Sequence, residues 1–173
     1  MKRVTSQEYV KRLDALRNEM LAAGTDVYYV PGGDFHMSEY ISDYFKCREF
    51  LSGFDGSNGE MVITKDGAYL WTDGRYFLQA DEQLQGTGIT LMKMGEQGVP
   101  KLSDFIKDAL HDGESLGFDG RLVPAYFYDI IKRNSAERML HSLPISIWSA
   151  ISGLTDLHFL PEKHGSSMIH IPE

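Results

Sequence analysis

A chain of 173 residues with 42% hydrophobic content has the length of one domain and enough apolar mass for a substantial core. Its 25 acidic residues against 17 basic ones give a formal charge of -8, which opposes a nucleic-acid backbone, and no basic stripe offsets it. The start carries no secretory leader pattern and no apolar run approaches the ~20 residues of a membrane span, so the sequence predicts a cytoplasmic protein that binds neither nucleic acid nor membrane.

Thr5 followed by Glu8 has the form of a capping box, and Tyr9, Leu13, Leu16 and Met20 then fall at helical spacing as far as Gly24. Val27-Tyr28-Tyr29-Val30 reads as a buried strand ended by Pro31-Gly32-Gly33. A second helix is expected from about Ser38, carrying Tyr40, Ile41, Tyr44 and Phe45, before a glycine-punctuated stretch from Ser52 to Gly59 that reads as too flexible for helix. Met61-Val62-Ile63 and Tyr69-Leu70-Trp71 flank Lys65-Asp66-Gly67, a hairpin whose Asp-Gly pair suits positive backbone angles.

Tyr76, Phe77, Ala80 and Leu84 predict a helix closed by Gly86, followed by a strand over Ile89-Thr90-Leu91-Met92. Leu102, Phe105, Ile106, Ala109 and Leu110 form another helical stripe, and Leu116-Gly117-Phe118 a short strand. Pro124 suits the first turn of a helix through Ile130 and Ile131, and Met139-Leu140 a last strand. The alternation, with one hairpin among the crossovers, predicts an α/β fold with a mixed sheet and helices on its faces. Residues 1–156 form the expected domain, and 157–173, where periodicity fades among Pro161, Gly165 and Pro172, read as a linker or tail toward a downstream domain absent from this sequence.

The residues offer little hydrolytic chemistry of their own. The six histidines show no HExxH pair or other compact metal spacing, and each alone reads as a surface or hydrogen-bonded side chain. No GxSxG elbow places a serine nucleophile. The single Cys47 has no disulfide partner and reads as a structural thiol. The loop from Gly53 to Gly59 lacks the spacing of a phosphate cradle and enters a hairpin rather than a helix. Arg75, following Asp73-Gly74, and Arg48, just before that loop, are forked donors suited to a carboxylate or carbonyl, although loop arginines are usually solvated. Trp71, Tyr76 and Phe77 suit core or interface packing.

Three stretches, Gly33-Asp34-Phe35-His36 with Ser38-Glu39-Tyr40-Ile41, then Cys47 through Ser57, and above all Trp71-Thr72-Asp73-Gly74-Arg75-Tyr76-Phe77-Leu78-Gln79-Ala80, together resemble the amino-terminal domain of Xaa-Pro aminopeptidases, and Leu91 to Gly95 extends the match. The resemblance runs from about Thr5 to Trp148 and reaches more distantly to creatinase and prolidase amino-terminal domains, which implies a ribonuclease-H-like sheet.

The resemblance implies a parent enzyme that removes the amino-terminal residue preceding proline with two divalent metals, manganese by family habit, in a separate carboxy-terminal catalytic domain. This chain would then hold no cofactor itself. Asp55 and Asp66 reproduce the spacing of the family's metal-binding aspartate pair, but Asp108 and Asp119 do too and no His and Glu motifs follow, so the spacing reads as chance. The implied partners are the chain's own catalytic domain, a second copy in a homodimer, and a peptide with proline in second position. Arg75 is the first candidate for touching the substrate cleft or the dimer partner, with Arg48, Asp55, Ser57 and Tyr76 behind it. The alternatives are a stand-alone interaction module or pseudoenzyme of the same fold, and a small-ligand domain, which needs a closed pocket.

Overall fold

The computed structural model describes residues 4–34, 41, 45–123 and 127, with the backbone of 139–142. The first helix, α1 (Ser6–Ala22), buries Leu13, Leu16 and Met20 along one stripe, as their spacing dictates. Thr5 is its N-cap in extended conformation, but its side chain makes no capping bond. The expected capping box is therefore not formed; the backbone alone closes the first turn, Glu8 N–H donating to the Thr5 carbonyl at 2.9 Å.

Among the described residues six strands form one sheet in the order β4-β3-β2-β1-β5-β6. They are β1 (Val27–Val30), β2 (Glu60–Thr64), β3 (Ala68–Thr72), β4 (Ile89–Lys93), β5 (Ser115–Phe118) and β6 (Met139–Ser142). β2 pairs antiparallel with β1 and with β3, while β3 with β4, β1 with β5 and β5 with β6 are parallel. The mixed sheet is the one the sequence predicts, and β2 alone runs against the other strands.

Alternation of side chains sorts the core into two halves. Tyr28, Val30, Met61, Ile63 and Leu70 face α1, the short α2 (Cys47–Ser52) and α3 (Phe77–Gln83). Val27, Tyr29, Val62, Trp71, Leu116 and Phe118 face α4 (Leu102–Ala109) through Leu102 and Ile106. β1 lies at the centre of the sheet and is buried on both faces, which explains its unbroken apolar run. Truncating a side chain such as Leu70, which is fully buried, to Ala would cost about 2–5 kcal/mol. Between layers, Trp71 Nε1 donates to the Pro100 carbonyl at 3.0 Å, and the Phe105 ring sits 5.0 Å from the Trp71 ring.

Two expectations need correction. The second helix among the described residues is Cys47–Ser52; of the segment expected to be helical from Ser38, Ile41 is not helical, and Ser38, Tyr40 and Tyr44 lie outside the described residues. Cys47 and Leu51, one turn apart, anchor α2, and Gly53 ends it in the left-handed conformation. The hairpin turn does not use a positive angle at Gly67. Thr64 closes it instead, its N–H donating to the Gly67 carbonyl and its Oγ1 accepting from Gly67 N–H, both at 2.9 Å. A Cβ at Gly67 would overlap the Tyr69 ring, so packing calls for glycine there. Phe127 is helical, in keeping with the helix expected after Pro124; the rest of that segment and the proposed tail, 157–173, lie outside the described residues.

Candidate functional site

Because every strand except β2 runs the same way, the carboxyl ends of β1, β3, β4 and β5 open onto one sheet edge, joined there by the entry to β2. Loops at such an edge are the usual place for contacts in α/β sheets. The loop of residues 53–59 fills this position; it is not helical, as the sequence reading expects, and it is fastened by side-chain bonds.

Its fastener is Arg48, on α2 and only 7% exposed. The guanidinium lies under the loop, Nη1 donating to the Gly59 carbonyl at 3.0 Å and Nη2 to the Gly56 carbonyl, with the Phe54 ring 5.0 Å from its central carbon. Burial pushes the Arg48 pKa down, and the nearby carboxylates of Glu49 and Asp55 act against that. Close approach explains the glycines: a Cβ on Gly32 would stand 2.2 Å from the Gly59 carbonyl oxygen, and one on Gly56 would strike Phe54 and Tyr76. Thr72 Oγ1 donates to the Asn58 carbonyl at 2.6 Å, tying the loop to the end of β3.

The other four sequence candidates meet above this base. Asp55 Oδ1 accepts from Gln79 Nε2 at 2.6 Å and from Gln83 Nε2 at 2.9 Å, which turns its carboxylate toward α3. Ser57 Oγ and the Tyr76 hydroxyl are 2.6 Å apart. Arg75 stands outermost, its guanidinium 5.3 Å from the Tyr76 ring. Asp73 clamps it: Oδ1 accepts from Arg75 N–H and Nε, each at 3.0 Å, and Oδ2 accepts from Nη2 at 2.7 Å. Those hydrogen bonds hold the Asp73 carboxyl below its ordinary pKa. The clamp fixes the guanidinium plane while two-thirds of the side chain stays exposed.

A second clamp of the same form escaped the sequence reading. Asp119 accepts from Arg121 N–H and Nε at 3.0 Å each and from Nη2 at 2.6 Å, at the carboxyl end of β5. The signal was present as a repeated Asp-Gly-Arg, at 73–75 and 119–121. Across the sheet, β3 and β5 are three strand spacings apart, roughly 15 Å.

No group of three or more His, Cys, Asp or Glu suited to a metal ion occurs among the described residues. Asp55 and Asp66 lie beyond opposite ends of β2 and do not converge. A cleft of about 330 Å³ lined by Asp26, Tyr69, Phe105, His111 and Glu114 lies at the other sheet edge, away from this cluster.

These elements define an α/β domain built on a mixed, helix-flanked sheet, with a loop stitched to one edge and the named side chains positioning one another there. Residues 12–145 match the Creatinase/Prolidase N-terminal domain, and the chain belongs to that family. It is 45% identical over 115 residues to Aminopeptidase P2 of Arabidopsis thaliana, covering 66% of this chain and 16% of that protein. It is 38% identical over 151 residues to the Xaa-Pro aminopeptidase ApepP of Drosophila melanogaster, covering 84% of this chain and 24% of that protein. The crystal structure of X-prolyl aminopeptidase from Caenorhabditis elegans, described as a cytosolic enzyme with a di-nuclear active site, superposes with a TM-score of 0.73 at 34% identity, over 88% of this chain and 26% of that one. The N-terminal domain of the peptidase PepQ from Mycobacterium tuberculosis superposes at 0.56 with 26% identity, over 81% of this chain and 98% of that one. The chain thus spans about a quarter or less of the full-length aminopeptidases it matches.

Proposed function

We propose that this chain is the non-catalytic amino-terminal domain of a metal-dependent Xaa-Pro aminopeptidase of the cytoplasm. It forms one wall of the substrate cleft and contributes to a homodimer. The parent enzyme removes the residue preceding proline from peptides, and its two divalent metals, manganese by this reading, reside in the catalytic portion. Those metals would supply a polarised carbonyl and an activated water. No step of that chemistry is given to the described residues, among which no group of three or more His, Cys, Asp or Glu suited to a metal ion occurs.

The observation that carries the reading is the assembly of Arg75, Tyr76, Ser57 and Asp55 over the Arg48 base at one sheet edge. An exposed arginine held flat by Asp73 is a preorganised donor for a carbonyl or carboxylate. No helix among the described residues is long and apolar enough to cross a membrane. The test is Arg75→Ala in the full-length enzyme. The expected result is a loss of about tenfold or more in kcat/KM or a weakened dimer, with the thermal midpoint unchanged, since exposed ion pairs contribute little to stability. Unchanged kinetics together with unchanged dimerisation would reject this role.

A further inference from the structure

Asn58-Gly59 is the only Asn-Gly pair in the sequence, and it sits in the stitched loop. An asparagine before glycine is open to deamidation, because glycine has no Cβ to keep its backbone nitrogen away from the asparagine side-chain carbon. Packing imposes the glycine: a Cβ on residue 59 would stand 3.0 Å from Arg48 Nη1 and from Phe54 Cε1, and 3.3 Å from the Trp71 carbonyl oxygen. Nothing comparable engages the asparagine side chain, which makes no hydrogen bond among the described residues. The backbone on either side of the pair's junction is held instead. Thr72 is fully buried and its Oγ1 donates to the Asn58 carbonyl at 2.6 Å, while Arg48 Nη1 donates to the Gly59 carbonyl at 3.0 Å.

We propose that Asn58 is a deamidation site held shut by the Thr72 and Arg48 bonds, and that it converts when the loop lets go of β3. In the conversion Gly59 N bonds to Asn58 Cγ, the Cγ–Nδ2 bond breaks, and ammonia leaves with the glycine amide proton. Water then opens the succinimide at either carbonyl, giving aspartate or isoaspartate, and no other reactant is needed. Ring closure requires rotation about the Asn58 Cα–C bond. That rotation swings the Asn58 carbonyl away from Thr72 Oγ1, so the intact bond opposes it, and Arg48 restrains the next carbonyl along. The product bears on the site, because it adds a carboxylate between Asp55 and Glu60. Isoaspartate also lengthens the backbone by a methylene, in a loop whose Gly59 carbonyl leaves no room for a Cβ on Gly32. The inference stands apart from the peptidase reading.

The experiment follows residue 58 by peptide mapping and mass spectrometry in the 173-residue chain at mildly alkaline pH, folded and in guanidinium chloride. The denatured chain should convert about a hundredfold faster or more, since the folded one reacts only through opening. Thr72→Val keeps the shape without the donor and should speed conversion in the folded chain about tenfold, the change in open population that one lost hydrogen bond allows. Ile106→Val, on α4 across the sheet from Phe54, controls for a general loss of stability and should leave the rate within about twofold. Asn58→Gln should remove the conversion, because the longer side chain closes a less favourable ring. Equal rates in the folded and denatured chains overturn the proposal. So does a Thr72→Val rate no faster than that of Ile106→Val, or an acid product that Asn58→Gln does not remove.

Discussion

Arg48 donates from Nη1 to the Gly59 carbonyl at 3.0 Å, so a buried cation on α2 holds the loop that enters β2. Replacing it by Met keeps the stem but leaves the Gly56 and Gly59 carbonyls without their donor. The expected loss is about 3 kcal/mol of unfolding free energy, from charge-assisted bonds removed and buried acceptors stranded. Chemical denaturation of Arg48→Met measures it, and a change below about 0.5 kcal/mol, the range of ordinary surface substitutions, would show that the loop holds itself.

Ser57 and Tyr76 join that loop to the start of α3 by one hydroxyl pair at 2.6 Å. Ser57→Ala, Tyr76→Phe and the double variant form a cycle whose interaction energy should be about 0.5–1.5 kcal/mol. Additive single changes would mean that the two hydroxyls are neighbours without coupling.

Cys47 is buried, and desolvation, aided by the nearby Asp119 carboxylate, pushes its pKa from the ordinary 9.0 up to about 12. The folded state thus keeps its proton where the unfolded state has lost it. Its contribution to stability is whole below pH 9 and declines as pH rises from 9 toward 12. Denaturation midpoints across that window should fall more steeply in the native chain than in Cys47→Ala, and thiol labelling at neutral pH should proceed at the rate of opening. Fast labelling of the folded protein contradicts this placement.

The strands and the core faces were legible because alternation and apolar runs are set by burial, and Val27 to Val30 sits in the only environment that tolerates an all-apolar strand. Other features depend on tertiary contact, which local pattern does not carry. Thr5 has the residue type of a cap but not the bond, and the Thr64 side chain does the work expected of a positive angle at Gly67. The short α2 was missed because Cys47 and Leu51 give only one turn of period, and its charged Arg48 is buried by a loop far more polar than the core. At the candidate site the residue identities were readable in the Trp71 to Ala80 run; that Arg48 serves from beneath and Arg75 from above was not, since both are arginines flanking turns.

The central claim is that residues 1–173 are scaffold and contact surface while the hydrolytic centre lies in the catalytic portion. Cleavage of a proline-containing tripeptide, with manganese added, should be compared between the 173-residue chain and the extended polypeptide. The account predicts turnover only in the extended form; turnover by the short chain, or none by either, contradicts it.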